Sequence, residues 1–420
     1  MTVIRAYSNF YVIVIFALFY HGYFLDYFQI HPKINYAIGF LLYALVVLFY
    51  KNSIYKNSIL NMNKWLFYAV AVLIPSLLVG LGMGWSYVDI SADVARYLAP
   101  FLGYTAGLLL LKQLDYHRIL YVLYGLLALQ LVSYYSSVIS KISYVAQGGP
   151  LVEYAKNGLE VQFLYFFIVF FLLRNNLVGG VKKMILFGYA VGYILNPVFL
   201  MSKARFITML LSIALIFVFY SKAKDRILII VFALFMAGAS SLFINESAFD
   251  RFKDTIELIE TGKYAADAST SVRVAEIINI TNMMYDKSPY SLPFGFGSGA
   301  LYYDDYSKIE GGLSQGNFRS DGGVHDVFTI PFAYVFRYGL IGFFLIYYFF
   351  LYSYKRILVY NDGTHQDTIA KSIKLFVVVS IVADLFVPVH AYGNLQFGFI
   401  VAMGVVLQSK FKTQNNSFKK

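Results

Sequence analysis

Apolar stretches of membrane-spanning length recur along this chain from residue 10 to residue 408, and one long polar segment, Asn245–Asp326, interrupts them. The apolar intervals are 10–28, 34–50, 65–84, 98–111, 118–140, 159–173, 184–201, 206–220, 226–244, 327–353, 373–389 and 395–408. Runs of roughly twenty apolar residues match the hydrocarbon thickness of a bilayer. The pattern therefore predicts an all-α polytopic membrane protein with about 12 transmembrane helices. Several intervals are short, and 327–353 is long enough to cross with a tilt. The chain divides into residues 1–244 with the first nine spans, a loop at 245–326, and residues 327–420 with the last three spans and a tail.

The polar segment carries its own helical signals. In NESAFDRFKDTIELIETG, Phe249, Phe252, Ile256 and Ile259 recur at helical spacing, and Gly262 is a stop. A second helix fits STSVRVAEIINITNMMYD, with Ser269 or Ser271 as its cap and Lys287-Ser288-Pro289 as its end. The turn-rich SLPFGFGSGAL follows, then an acidic, glycine-rich stretch to Asp321. These features predict two amphipathic helices over the mouth of the bundle and an irregular strap returning to the tenth span.

Composition agrees with the membrane reading. The chain is 59% hydrophobic and 14% charged, where a soluble domain carries about 25% charged residues. With 38 Tyr and only 2 Trp, the aromatic belt at the interfaces falls mainly to tyrosine. No cysteine is present, which excludes disulfides, thiolate metal sites and thiol catalysis. Arg5 precedes a first span that runs to Tyr27-Phe28 without a small-residue cleavage site, so it reads as an uncleaved helix.

The formal charge of +11 is placed by topology and not by a nucleic acid. With the N-terminus inside and spans alternating, 20 Lys/Arg fall on inner connections and tails, against 6 on the short outer ones. That is the positive-inside asymmetry. Residues 245–326 carry 13 Asp/Glu and 7 Lys/Arg and lie outside in this arrangement. A long loop crosses regardless of its charge, so its sign does not test the topology.

The basic side chains at the outer face are the first candidates for chemistry. Lys203 and Arg205, in FLMSKARFITMLL, breach the positive-inside pattern. A guanidinium's planar fork suits a phosphate, whereas a tight turn whose cations snorkel to headgroups needs no ligand. Arg273 lies near the start of the second loop helix, where an anion is favoured, or else pairs with Glu276 at i, i+3. Gly295 and Gly297, within Gly295-Phe296-Gly297-Ser298-Gly299, permit close backbone approach to a ligand or make a plain glycine loop. They are no dinucleotide fingerprint, because no βαβ unit flanks them.

His325 sits where the polar loop meets the membrane, beside Asp326, and has the chemistry of a proton acceptor near neutral pH. A lone histidine is more often a structural hydrogen-bonder than a catalyst. His390 is a second external histidine. Asp304-Asp305 offers carboxylate oxygens to a divalent cation but reads first as a solvated loop, so no metal and no cofactor is assigned.

Taken in order, MSKAR, SVRVAE, PFGFGSG and VHDVFTIPFAYVFRYGLIGFF resemble the oligosaccharide repeat-unit polymerases of the Wzy type and the related O-antigen ligases. That family is polytopic with a large late periplasmic loop. The matching positions here are Arg205, Arg273, Pro293 with Gly295 and Gly297, His325, and Gly339-Leu340-Ile341-Gly342. The resemblance covers roughly residues 200–345, and the earlier half matches in hydropathy alone. Asp326 stands where the family usually has Asn. It would raise the basicity of His325 or hold the strap.

The resemblance implies a multi-pass protein of the bacterial inner membrane, active on the periplasmic face. It implies metal-independent glycosyl transfer between undecaprenyl-pyrophosphate-linked donor and acceptor, with a chain-length regulator protein as a further partner. Arg205 and Arg273 would neutralise the leaving pyrophosphate, and His325 would take the acceptor proton. Arg96, Lys203, Gly295, Gly297 and Asp326 would contact substrate. An O-antigen ligase shares the donor but takes lipid A core as acceptor. A lipid-oligosaccharide flippase has similar length and hydropathy, but it would spread polar residues through its spans and need no large external insert. A receptor or scaffold that only binds glycan would show no turnover.

Overall fold

The computed structural model describes residues 9–20, 32–49, 60–147, 160–199, 203–220, 268–287, 291–303, 305, 323–325, 327, 330–359, 362–386 and 395–418. They form helices α1 (Asn9–Tyr20), α2 (Pro32–Phe49), α3 (Leu60–Gly82), α4 (Tyr87–Lys112), α5 (Tyr116–Ala146), α6 (Glu160–Arg174) and α7 (Gly180–Phe199). Then follow α8 (Lys203–Tyr220), α9 (Ala268–Lys287), the single turn α10 (Ser291–Phe294), α11 (Ile330–Arg356), α12 (His365–Phe386) and α13 (Leu395–Phe418). Among the described residues the sole β feature is an isolated antiparallel bridge, Tyr302 to Val324. The protein is an all-α, membrane-embedded chain. Among the described residues four helices are long and apolar enough to cross a bilayer: Lys64–Gly82, Tyr87–Lys112, Tyr116–Ser136 and Pro331–Arg356. A helix occupies each predicted apolar interval except 226–244, which lies outside the described residues, as does the first loop helix of the sequence reading.

The core is organised around α4, which is mostly buried and packs on α2, α3 and α13. Small residues set the α4–α13 crossing. A Cβ on Gly103 would lie 1.9 Å from the Leu395 carbonyl oxygen, and one on Gly398 would lie 1.9 Å from that of Pro100. Such backbone-to-backbone approach is how membrane helices gain packing energy where lipid removes the hydrophobic drive.

Two helices, α4 and α12, begin more than two turns earlier than hydropathy predicts. The interval 98–111 extends to Tyr87 because the polar turns of α4 are buried and partnered inside the protein, Asp93 above all. The interval 373–389 extends back to His365 for the same reason. There Asp367 and Lys371 pair at 2.6 Å on one face of α12, and Thr364 Oγ1 accepts the Asp367 N–H at 3.2 Å as a cap. The interval 327–353 holds one candidate span, Pro331–Arg356, with a kink inside it. α11 breaks at Gly339, whose φ of 66° and ψ of −174° belong to no helix.

Above the bundle, α9 stands where the second loop helix is predicted. Its Ala275, Ile280, Met283 and Met284 join Phe296, Tyr302, Val324, Val327, Ala333 and Phe336 in a separate small core. This core fastens the loop to the first half of α11.

Candidate functional site

The break in α11 creates the site. At a break the helix loses its own hydrogen-bond ladder, and the freed carbonyls need donors from elsewhere. Here the Phe336 carbonyl accepts the Phe296 N–H at 2.7 Å, and the Arg337 carbonyl accepts the Ser76 hydroxyl of α3 at 3.0 Å. Because Ser76 has one hydroxyl proton and gives it to Arg337, Ser298 Oγ donates the 3.0 Å contact between the two serines. The Ser298 N–H also bonds the Ser76 carbonyl at 3.0 Å. The segment 293–299 is thereby laced to α3 and α11.

The glycines of that segment serve this lacing. Gly297, at φ 89°, leaves a Cβ no room: it would lie 2.4 Å from the Gly80 nitrogen. A Cβ on Gly339 would lie 2.1 Å from the Pro293 carbonyl oxygen. Gly295 and Gly297 are both buried, and the close approach they permit is of the chain to its own helices.

The lacing gathers four charged or titratable side chains from three distant segments. Asp93 of α4 is fully buried, and its Oδ2 is a hub. Arg337 Nε lies 2.9 Å from it, the Gly299 N–H donates to it at 2.7 Å, and His325 Nε2 lies 3.3 Å away. The other oxygen, Oδ1, lies 4.0 Å from Arg96 Nη1. Arg337 is 1% exposed, and its Nη2 also donates to the backbone carbonyl of His325. The Tyr338 hydroxyl donates to the Asp93 carbonyl at 2.8 Å.

This arrangement has a definite chemical sense. A buried guanidinium and a buried carboxylate are tolerated only as a pair, and each fixes the other's position. The pair in turn holds His325 by both its ring and its backbone. With the Nε2 proton turned to Asp93, the basic lone pair of the imidazole is on Nδ1. An orienting acid, an imidazole and flanking cations are the parts needed to accept a proton beside an anionic group. His325 is 11% exposed, at the edge of this buried cluster.

The residues singled out from sequence are placed as follows. His325 and Arg96 meet at Asp93. Arg273 is half-buried on α9, one turn before Glu276, whose Oε1 accepts the Tyr302 hydroxyl at 3.1 Å. Tyr302 pairs with Val324, the neighbour of His325, so α9 is tied to the strap that carries the histidine. Lys203 and Arg205 occupy the first turn of α8, and their side chains lie outside the described residues, as do Asp326, Asp304 and His390. Among the described residues the acid facing His325 is Asp93, 232 residues away in sequence.

Arg337 went unremarked in the sequence, although it carried a signal. It is the one basic residue in the interior of a predicted apolar span, where a charge is costly and marks a site by default. Comparison of the chain with protein-family models, with curated proteins and with solved structures yields no match.

Proposed function

We propose that this chain is a membrane glycosyltransferase that polymerises undecaprenyl-pyrophosphate-linked oligosaccharide repeat units into a surface polysaccharide. The observation that carries the proposal is the anchoring of His325 by Asp93 and Arg337 at the point where the polar loop enters α11. In this reading an acceptor sugar hydroxyl attacks the anomeric carbon of the donor. The new glycosidic C–O bond forms as the bond from carbon to pyrophosphate oxygen breaks. The electron pair leaves with the lipid pyrophosphate, and the hydroxyl proton passes to His325. Arg205 and Arg273 neutralise the leaving group, and Arg96 reaches the same region from α4. The twelve-span topology, the periplasmic site and the inner-membrane location belong to this reading and rest on the positive-inside pattern and the family resemblance.

The test is turnover by purified protein given a lipid-linked repeat unit as both donor and acceptor. A ladder of polymer is expected. Arg205→Lys and Arg273→Lys keep the charge and lose the bidentate fork, so both should slow the ladder. Transfer only to a lipid A core acceptor, or transmembrane movement of intact donor without transfer, would overturn the polymerase reading.

A further inference from the structure

The opposite end of the bundle carries a second assembly, independent of the reaction. On α3 the large exposed apolar side chains Phe67, Ile74, Leu78 and Leu81 form a helical stripe; on α11 Ile341, Phe344, Tyr348 and Leu351 form another. The two helices pack side by side and run antiparallel. Ser76 meets Arg337 at one end, while Trp65 meets Tyr352, ring centroids 5.0 Å apart, at the other. From Lys64 to Gly82, two residues past the Gly80–Ser298 contact, α3 rises roughly 27 Å at about 1.5 Å per residue. That is close to the roughly 30 Å hydrocarbon core of a bilayer. The Trp65 end of α3 is thus close to a membrane thickness from its Gly82 end.

Both stripes finish in cations at that end. Lys64 begins the α3 stripe, and Lys355 and Arg356 close the last turn of α11. Lys64 Nζ lies 5.4 Å from the Tyr352 ring centroid and 5.6 Å from that of Trp65. Arg356 Cζ lies 5.2 Å from the same Tyr352 ring. Among the described residues, no ion pair neutralises Lys64, Lys355 or Arg356. Two cations held against one aromatic ring repel each other, and the ring's quadrupole offsets this only in part. A phosphodiester anion seated between them removes the repulsion, and its acyl chains would lie along the two exposed apolar stripes.

We infer that the Lys64–Tyr352–Arg356 cluster is a binding site for the headgroup of an anionic phospholipid, at the membrane face opposite His325. The aromatic rings pre-order the cations, and Trp65, buried against Tyr348, Phe349 and Tyr352, holds Tyr352 in place. The excess of lysine and arginine on this face, which places it inside, puts the site on the leaflet where anionic lipids attract basic residues by about 1 kcal/mol per cation.

The experiment is lipid retention by the purified full chain in mixed phosphatidylglycerol–phosphatidylcholine micelles, read by native mass spectrometry. Wild type should keep phosphatidylglycerol in preference to phosphatidylcholine. Lys64→Ala with Arg356→Ala should weaken that preference by roughly thirtyfold, as the loss of two such cation contacts implies. Lys64→Arg with Arg356→Lys should retain most of it. Inorganic phosphate at millimolar concentration should not displace the lipid, because it lacks the acyl chains. Equal retention by wild type and the double alanine variant overturns the site, as does full displacement by inorganic phosphate. Should the alanine variant not fold, retention by wild type that is unchanged between 50 mM and 500 mM salt overturns it equally.

Discussion

His325 Nε2 lies 3.3 Å from Asp93 Oδ2, while the guanidinium of Arg337 forms an ion pair with the Asp93 carboxylate and donates to the His325 carbonyl. One acid on a buried helix thus sets the ring of the histidine, and one arginine on a broken helix sets its backbone. The two constraints arrive from different segments, so the imidazole is held against rotation and against displacement. That is the property expected of a group whose proton must be transferred in one direction.

Replacing the imidazole should separate chemistry from folding. His325→Ala removes a side chain at the edge of the cluster and leaves the Arg337–Asp93 pair intact. Membrane abundance and thermal stability should change little, while polymer formation in vitro should fall by about 100- to 10,000-fold. Wild-type rates in this variant would make the histidine a structural hydrogen-bonder.

Breaking the ion pair should instead cost stability. Asp93→Ala leaves the Arg337 guanidinium buried without its carboxylate, and Arg337→Ala does the converse. Each single variant is expected to lose about 3–5 kcal/mol, read as a drop in melting temperature in detergent. Asp93→Asn with Arg337→Met should recover part of that loss, because no net charge is left buried. A double variant no more stable than the sum of the single losses predicts would show that the two residues do not interact.

Gly339→Ala should be severe for a reason that involves no contact with substrate. Its φ of 66° with ψ of −174° suits glycine alone, and the added methyl would meet the Pro293 carbonyl at 2.1 Å. The expected loss is at least about 1–3 kcal/mol. The segment 293–299 should also become sensitive to protease added from the loop side. Gly342→Ala lies only three residues on in the same helix, so it is not a clean control; Gly82→Ala is, because its Cβ would meet nothing within 4 Å.

Topology can be read with single cysteines, since the chain has none of its own. A membrane-impermeant thiol reagent applied to whole cells stripped of their outer barrier should label Ser307→Cys and spare Ser53→Cys. The reverse pattern would invert the assignment of inner and outer faces, and with it the leaflet of the Lys64–Arg356 site.

Hydropathy and helical spacing by themselves determined where the helices run, because burying unpaired backbone in lipid is so costly that apolar runs have little alternative. Cap and stop signals, Ser269 or Ser271 and Lys287-Ser288-Pro289, also located α9 within the polar loop. Sequence chemistry pointed to His325 and Arg96 from their position at the outer membrane edge. Three things were decided only by the tertiary structure. α4 reaches back to Tyr87 and α12 to His365, because buried partners satisfy polar turns that a hydropathy window scores as loop. α11 breaks at Gly339, because the Pro293–Gly299 segment packs into the gap, a contact with no local signature. And Asp93, Arg337 and His325 share one site although 232 residues separate the acid from the histidine. Periodicity describes which face of a helix is apolar, but a charge pair across the bundle depends on how whole helices pack, and that information is spread over every residue of their interface.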